Sequence, residues 1–361
     1  MKDKRMMDGT KMLWHMDRVL AWERGERIPP IYIDMGANKK CNVNCVYCYG
    51  NYQHMTGEEI AREPLVNLFR DATSVGIKGI GLIGDGEPTL NPAIYEAMDE
   101  GKRTGLDMAI STNGVLLDKC KLENILGNCK WMRFNISAGT KEGYRVIHSA
   151  DKYDNVVDNI KEAVRLKKEK GYTCDIGLQS VFVPKLMDGE IIILAELSKK
   201  LGVDYFLIKQ CSLPEGNSSV NKVSFNERDM IDSEEYLKMA EAVSPNIFVK
   251  WGCMDMQRNM ISTGKRPYDG CLGIPFLLQI SGNGKVYPCG HLFGKEEDKY
   301  LMGDLHKNSI GEIIKSERYW EVVDMMKDFD VHNDCHGMCR QDKVNEFLYE
   351  YMQKPRGINF I

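Results

Sequence analysis

Between Ile31 and Lys209 the chain alternates short apolar runs with longer stretches of helical periodicity, and no other feature restricts its fold as much. Ile31 to Met35, Gly79 to Ile83, Asp107 to Ser111, Trp131 to Ser137, Asp175 to Phe182 and Tyr205 to Lys209 read as strands. Helical segments fall between them: Leu65 to Val75, a helix opened by Asn91 and Pro92 that runs toward Gly105, Leu116 to Ile125, Asn155 to Lys170 and Gly189 to Leu201. Strands separated by helices need crossovers, so they pair in parallel, and such crossovers are right-handed. Six strand–helix units define an α/β fold. The pattern alone is met equally by an open doubly wound sheet and by part of a barrel.

Before this repeat, Asp8 to Gly25 reads as an amphipathic helix with Met12, Met16, Val19 and Leu20 on one face, giving an N-terminal helical segment over residues 1–28. Thr56 and Glu59 have capping-box spacing, and Pro64 is expected to interrupt the helix they open. After Lys209 the alternation stops. Cys211 to Ser224 reads as a linker, Glu234 to Ala242 as a helix and Phe248 to Trp251 as a strand on the closing wall of the first domain. Phe276 to Ile280 and Lys285 to Tyr287 flank Ser281-Gly282-Asn283-Gly284, a hairpin signal, and helices follow near Ile310 to Met326 and Val344 to Met352. The chain therefore divides into an α/β domain over 29–250 and a smaller α+β domain over 251–361.

With 361 residues, 43% hydrophobic and 28% charged, the chain has the composition of a soluble globular protein able to bury a full core. Its net charge of −4 gives no general attraction to nucleic acid or anionic lipid, and no run has the length of a transmembrane helix or the apolar core of a signal peptide. These features predict a cytoplasmic protein acting on a small molecule, with no nucleic-acid and no membrane partner. Twelve cysteines without a secretory signal point to a reducing compartment and to metal ligation rather than disulfides.

Three of those cysteines, Cys41, Cys45 and Cys48, sit in CNVNCVYC just after the first strand. Three thiolates from one tight loop can hold three irons of a four-iron, four-sulfur cluster and leave the fourth iron open to an outside ligand. A zinc knuckle would need a fourth ligand, and His54 is the nearest candidate. A second set is spread over two loops. Cys271 and Cys289 end the predicted hairpin, whose antiparallel pairing brings them together, and Cys335 and Cys339 lie in DCHGMCR. Four thiolates suit either zinc or a complete cluster, so His291 and His336 nearby are not required as ligands.

The CxxxCxxC motif with Tyr47 before its last cysteine resembles the signature of the radical S-adenosylmethionine (SAM) enzymes. The resemblance implies a partial (β/α)6 barrel, a SAM-binding cluster on Cys41, Cys45 and Cys48, and Tyr47 lying against the adenine, although packing alone would also suit this ring. Gly84 to Pro88, GDGEP, is similar to the family's GGEP motif, with Asp85 in place of the second glycine. Gly84, Gly86 and Glu87 are thereby implied in SAM binding, Glu87 as the carboxylate partner of the methionine amino group. Ser111 and Asn113 end the third strand. Asn135 and Ser137 point to one side of the fourth, and by the same resemblance they contact the SAM ribose and carboxylate. Gln179 on the fifth strand and Lys209 on the sixth would face SAM, substrate or a core partner. The second thiol set resembles a twitch-type, shortened SPASM domain, which implies one auxiliary four-iron cluster; the family also implies an external one-electron reductant such as flavodoxin or ferredoxin.

Cys120, Cys129 and Cys174 read as small hydrophobic residues, whereas Cys211 and Cys253 follow strands that end near the expected site. Either is a candidate hydrogen donor, and Lys209 is a candidate base, so these three residues form the catalytic set. The expected activity is hydrogen abstraction from a small molecule, giving oxidation with the auxiliary cluster as electron acceptor. Epimerisation through a cysteine donor, peptide modification and a non-catalytic iron–sulfur or zinc scaffold are the alternatives. Peptide-modifying relatives commonly carry a leader-binding domain, for which the short N-terminal segment leaves no obvious room. KMLWHMDRVLAWERGERIPPIYI and the ending INFI faintly resemble proteins of surface-polysaccharide pathways, which favours a sugar substrate, nucleotide-linked.

Overall fold

A computed structural model describes residues 9–51, 53, 55–211, 223–252, 254–255, 265–335, 339–354 and 356–359. The six expected strands all form: β1 Tyr32–Met35, β2 Gly79–Leu82, β3 Asp107–Thr112, β4 Trp131–Asn135, β5 Asp175–Phe182 and β6 Tyr205–Gln210. They pair consecutively and in parallel. β7, Ile247–Val249, continues the parallel set beside β6. It is shorter than Phe248 to Trp251 implied, because Trp251 already begins a helical turn. The fold is a mixed α/β, open partial barrel.

At the other edge the hairpin β8 (Leu277–Ile280) and β9 (Lys285–Tyr287) forms as the turn sequence requires. β8 also pairs in parallel with β1, from Tyr32 opposite Leu277 to Met35 opposite Ile280. A two-residue strand, β10 (Gly303–Asp304), completes one ten-stranded sheet in the order β10-β9-β8-β1-β2-β3-β4-β5-β6-β7. The parallel set is thus larger than six, and the C-terminal segment supplies one of its edges.

α1 Met16–Glu23 precedes β1 and packs in a separate cluster with Phe276 and Leu348, while crossover helices cover the outer face: α2 Arg62–Asp71, α3 Ala93–Arg103, α4 Lys119–Asn128, α5 Lys141–His148, α6 Tyr153–Lys170, α7 Asp188–Leu201, α8 Glu227–Asp232 and α9 Glu234–Ala242. Even-numbered β4 residues Met132 and Phe134 are fully buried beneath them, which leaves Trp131, Arg133 and Asn135 facing inward. Beyond the hairpin come α10 Glu297–Tyr300, α11 Ile310–Lys315, α12 Glu317–Lys327 and α13 Asp342–Met352.

Four local expectations are corrected. Thr56 Oγ1 donates to Glu58, while Glu59 bridges Asn38 in an isolated strand contact, so no capping box forms and α2 begins at Arg62. Pro64 lies in the first turn of α2, where its missing N–H is no loss, and it does not interrupt the helix. The single helix expected near Ile310 to Met326 breaks at Ser316, whose extended backbone lets its hydroxyl accept from Tyr319 N–H. The N-terminal helix opens as a 3-10 turn over Thr10–His15, and Leu20 is 43% exposed instead of sharing the buried face with Val19.

Candidate active site

The cysteine loop hangs between the ends of β1 and β2 and is tied at several points. Asn44 N–H and Val46 N–H donate to the carbonyls of His148 and Ile147 at the C-terminal end of α5, at 3.2 and 2.9 Å. His148 is fully buried and stacks on Tyr144 at 4.3 Å. Its Nε2 accepts from the backbone N–H of Ser137 at 3.0 Å, and burial pushes its pKa down to about 3. A backbone N–H can only donate, so the neutral ring carries its proton on Nδ1, which lies 3.1 Å from Cys45 Sγ and donates to it. His148 escaped sequence reasoning because nothing local marks it.

Tyr47 is anchored by a hydroxyl contact with Ser137 at 2.9 Å, and Ser137 Oγ also accepts from Val181 N–H. Asn113 Nδ2 donates to Asn42 at 2.6 Å and reaches Cys41 Sγ at 3.7 Å. Burial, then the neighbouring Cys48 and Cys41, raises the pKa of the Cys45 thiol well above its ordinary value. A bound cation reverses such a penalty by holding thiolates.

The GDGEP turn lies main chain to main chain against this loop: Glu87 N–H donates to Lys40 O at 2.8 Å and Asn38 Nδ2 to Glu87 O at 2.7 Å. Gly86 has φ +76° and no room for a Cβ beside Asn38 O, so both conformation and space call for glycine. Glu87 is 3% exposed and accepts four protein hydrogen bonds, from Thr89 N–H, Thr89 Oγ1, Thr112 Oγ1 and Asn113 N–H. Burial raises its pKa while those donors oppose the rise. Asp85 is no idle replacement for glycine. It accepts from Ser281 Oγ at 2.9 Å and Gly282 N–H at 2.8 Å, and pairs at 3.6 Å with Lys39, itself 3% exposed. Lys39 Nζ also donates to Gln53 O at 2.8 Å, so one buried pair joins the cysteine loop, the GDGEP turn and the β8–β9 turn.

Along the inward face Asn135 Oδ1 accepts from Ser111 Oγ at 3.1 Å and Gln179 Nε2 at 3.0 Å. Cys211 follows β6, fully buried, its pKa pushed up to about 12 by burial with Lys209 and Cys48 within electrostatic reach. Strand ends therefore bring Tyr47, Gly84, Gly86, Glu87, Ser111, Asn113, Asn135, Ser137, Gln179, Lys209 and Cys211 to one end of the barrel with the three cysteines. Cys253, His54 and His336 lie outside the described residues.

The second thiol set has its own donors. Asn345 Nδ2 reaches Cys271 Sγ at 3.5 Å, Arg266 Nη2 reaches Cys335 Sγ at 3.4 Å and Gln341 N–H reaches Cys339 Sγ at 3.2 Å. Arg266 is held by a buried pair with Asp342 at 2.8 Å. Burial and the thiols of Cys335 and Cys271 push the Cys289 pKa up. Among the described residues no group of three or more His, Cys, Asp and Glu side chains is drawn tightly enough for a single metal ion. What fits an iron–sulfur cluster is the ring of N–H donors aimed at sulfur, two in the first set and three in the second. The segments that carry the two sets touch: Gln53 Nε2, beyond Cys48, donates to Gly290 O beside Cys289 at 3.1 Å.

An open α/β barrel with a three-thiol loop at its strand ends and a four-thiol C-terminal extension defines a class of iron–sulfur enzymes. Residues 38–198 match the radical SAM superfamily and residues 271–341 an iron–sulfur cluster-binding domain, SPASM. The chain belongs to the radical SAM superfamily and carries a C-terminal SPASM domain; its cofactors are SAM and two four-iron clusters. Among curated relatives, probable GTP 3′,8-cyclases of Saccharolobus islandicus and Methanothermobacter marburgensis are 29% and 27% identical, over 77% and 73% of this chain and 87% and 85% of theirs. Streptococcus suis SuiB bound to precursor peptide SuiA has the same fold at 15% identity and TM-score 0.66, covering 97% of this chain and 79% of that one. So does anSMEcpe with bound AdoMet, at 18% identity and TM-score 0.57, covering 90% and 95%. Among the described residues no helix is long and apolar enough to cross a membrane.

Proposed function

We propose that this enzyme oxidises a small hydroxylated molecule, a sugar carried on a nucleotide, by removing two hydrogens. Cys41, Cys45 and Cys48 hold the SAM-binding cluster; Cys271, Cys289, Cys335 and Cys339 hold the auxiliary one. Held there and reduced by an external donor such as flavodoxin or ferredoxin, the first cluster would supply one-electron cleavage of SAM to methionine and a 5′-deoxyadenosyl radical, the species that would take a hydrogen atom from substrate carbon. Tyr47, Asn135 and Ser137 orient SAM, while Glu87 fixes the Thr112–Asn113 turn around it. Lys209 takes the hydroxyl proton. The remaining electron needs an acceptor, and the observation that carries this reading is the Gln53–Gly290 contact, which joins the segments that carry the two thiol sets. The name of the curated relatives, probable GTP 3′,8-cyclase, supports a nucleotide-bearing substrate. Residues 29–250 and 251–361 act as the SAM-cleaving and auxiliary-cluster units.

A second reading, epimerisation, is favoured by Cys211. Its buried thiol, with a pKa near 12, stays S–H at neutral pH and so keeps a hydrogen atom to give. The test for the class is anaerobic incubation of reconstituted protein with SAM, dithionite and UDP- or GDP-linked hexoses. Formation of 5′-deoxyadenosine, stimulated by a nucleotide sugar, is expected; none at all would leave an iron–sulfur scaffold.

A further inference from the structure

Inside the barrel, three buried polar atoms have no hydrogen-bond partner among the described residues: Tyr32 Oη, Asp34 Oδ1 and Arg133 Nε. They belong to one neighbourhood, since Arg133 lies within electrostatic reach of Tyr205, Arg340, Tyr32 and Asp34. Arg133 is 4% exposed, and no hydrogen bond or ion pair joins its guanidinium to any described residue. Its contact is with the face of Trp131, 4.8 Å from the ring centre. Burial presses its pKa down, the mark of a cation whose lost hydration is not replaced.

Glycines stand beside this group where two phenol rings cross the sheet. Arg133 sits in one row of the sheet with Ser111 on β3 and Gly177 on β5, and a Cβ on Gly177 would strike the ring of Tyr205. A Cβ on Gly81, opposite Asp34, would strike the Tyr32 hydroxyl. Two strands therefore give up side chains so that two phenols turn into the interior. Arg340, from the SPASM domain, pairs with Asp34. Arg133 lies two residues before Asn135, hence one inward step deeper than the SAM-side row of Asn135 and Gln179.

We propose that Arg133 and Tyr32, with Arg340 and Asp34, form a substrate subsite that binds a hydroxylated organic anion, the anionic group on Arg133 and a hydroxyl on Asp34. The orphan atoms match such a ligand. A guanidinium lacking an acceptor takes a phosphate or carboxylate, a carboxylate oxygen lacking a donor takes a hydroxyl, and a phenol serves either. This rests on the proposed small-molecule chemistry and adds that its sugar substrate is held by an anionic group, phosphate or carboxylate.

The experiment is calorimetric titration of the anaerobically reconstituted, SAM-loaded protein with glucose 1-phosphate, glucuronate and glucose. One of the two anions is expected to bind at least roughly tenfold more tightly than glucose, and which of them does so identifies phosphate or carboxylate as the recognised group. Arg133→Met should weaken that anion by roughly tenfold to a hundredfold and leave glucose unaffected. If Arg133→Met fails to fold, Tyr32→Phe should weaken the same anion by a smaller factor, again without affecting glucose. Wild-type protein that binds neither anion, or variants that weaken all three ligands equally, would overturn the subsite. A wild-type protein that makes 5′-deoxyadenosine yet binds neither anion sinks this inference alone, whereas one that makes none sinks the proposed function.

Discussion

A carboxylate that already accepts four protein hydrogen bonds, as Glu87 does, cannot be replaced quietly even by its own amide. In Glu87→Gln the amide oxygen can face the three donors on one side, but the new NH2 then meets the N–H of Asn113, donor against donor. Leaving one buried group unsatisfied costs about 1–3 kcal/mol. Glu87→Gln should therefore lower unfolding free energy by about that much and weaken SAM binding roughly tenfold or more. Denaturant titration and calorimetry check this, and an unchanged midpoint with unchanged affinity would contradict it. His148 acts on charge rather than shape. An N–H···S bond stabilises the more negative, reduced cluster, and about 1 kcal/mol corresponds to roughly 40 mV for one electron. His148→Phe should lower the midpoint potential of the SAM-site cluster by tens of millivolts in an EPR-monitored redox titration, and His148→Asn, which keeps an N–H, should recover part of the shift. Glu87 was legible in the sequence because GDGEP marks it locally. His148 was not, because α5 brings it to Cys45 from 103 positions away.

Elements show the same division between local and distant information. Ser281-Gly282-Asn283-Gly284 encoded its own hairpin, since the two strands are neighbours in sequence. That β8 would also lie parallel to β1 was written nowhere near either strand, because a parallel partner is chosen by the whole sheet and by the exposed edge left after β1 and β2 pair. Thr56 and Glu59 had capping-box spacing, but Glu59 was drawn into a bridge with Asn38 instead. Asp85, which stands in place of the second glycine of the GGEP pattern, likewise has a distant role that its neighbours in sequence do not show. It is a tie, because Asp85 reaches the β8–β9 turn and Lys39 at once. Removing one partner of a buried pair costs about 3–5 kcal/mol, whereas removing both is milder. Lys39→Met and Asp85→Asn should each destabilise the protein by about that amount, and the double variant by clearly less than their sum. Additive losses in a denaturation double-mutant cycle would show that the two side chains do not act as a pair.

At the scale of the whole molecule, one thiol set lies at the strand ends of the barrel, and β8 holds the second set's domain onto that barrel. Anaerobic reconstitution should give about eight irons per chain, and replacing Cys335 and Cys339 by Ala about four, with 5′-deoxyadenosine still formed. The outcome of turnover is then decided by where the last electron goes. If the substrate radical gives up an electron to the auxiliary cluster and its hydroxyl proton to Lys209, the product is lighter by two hydrogens and gains no deuterium at carbon from heavy water. If Cys211 returns a hydrogen atom instead, and its thiyl radical regains an electron from the external donor and a proton from solvent, its S–H will have exchanged with solvent, so the product in heavy water is one mass unit heavier and inverted at one carbon. The joined thiol segments favour the first course, and mass spectrometry in heavy water should find the lighter product. The Cys335 and Cys339 double variant should lose that product while still cleaving SAM, because the electron then has no acceptor. A deuterium gain that vanishes in Cys211→Ala would reverse the assignment to epimerisation, since only a thiol donor brings solvent hydrogen to carbon here.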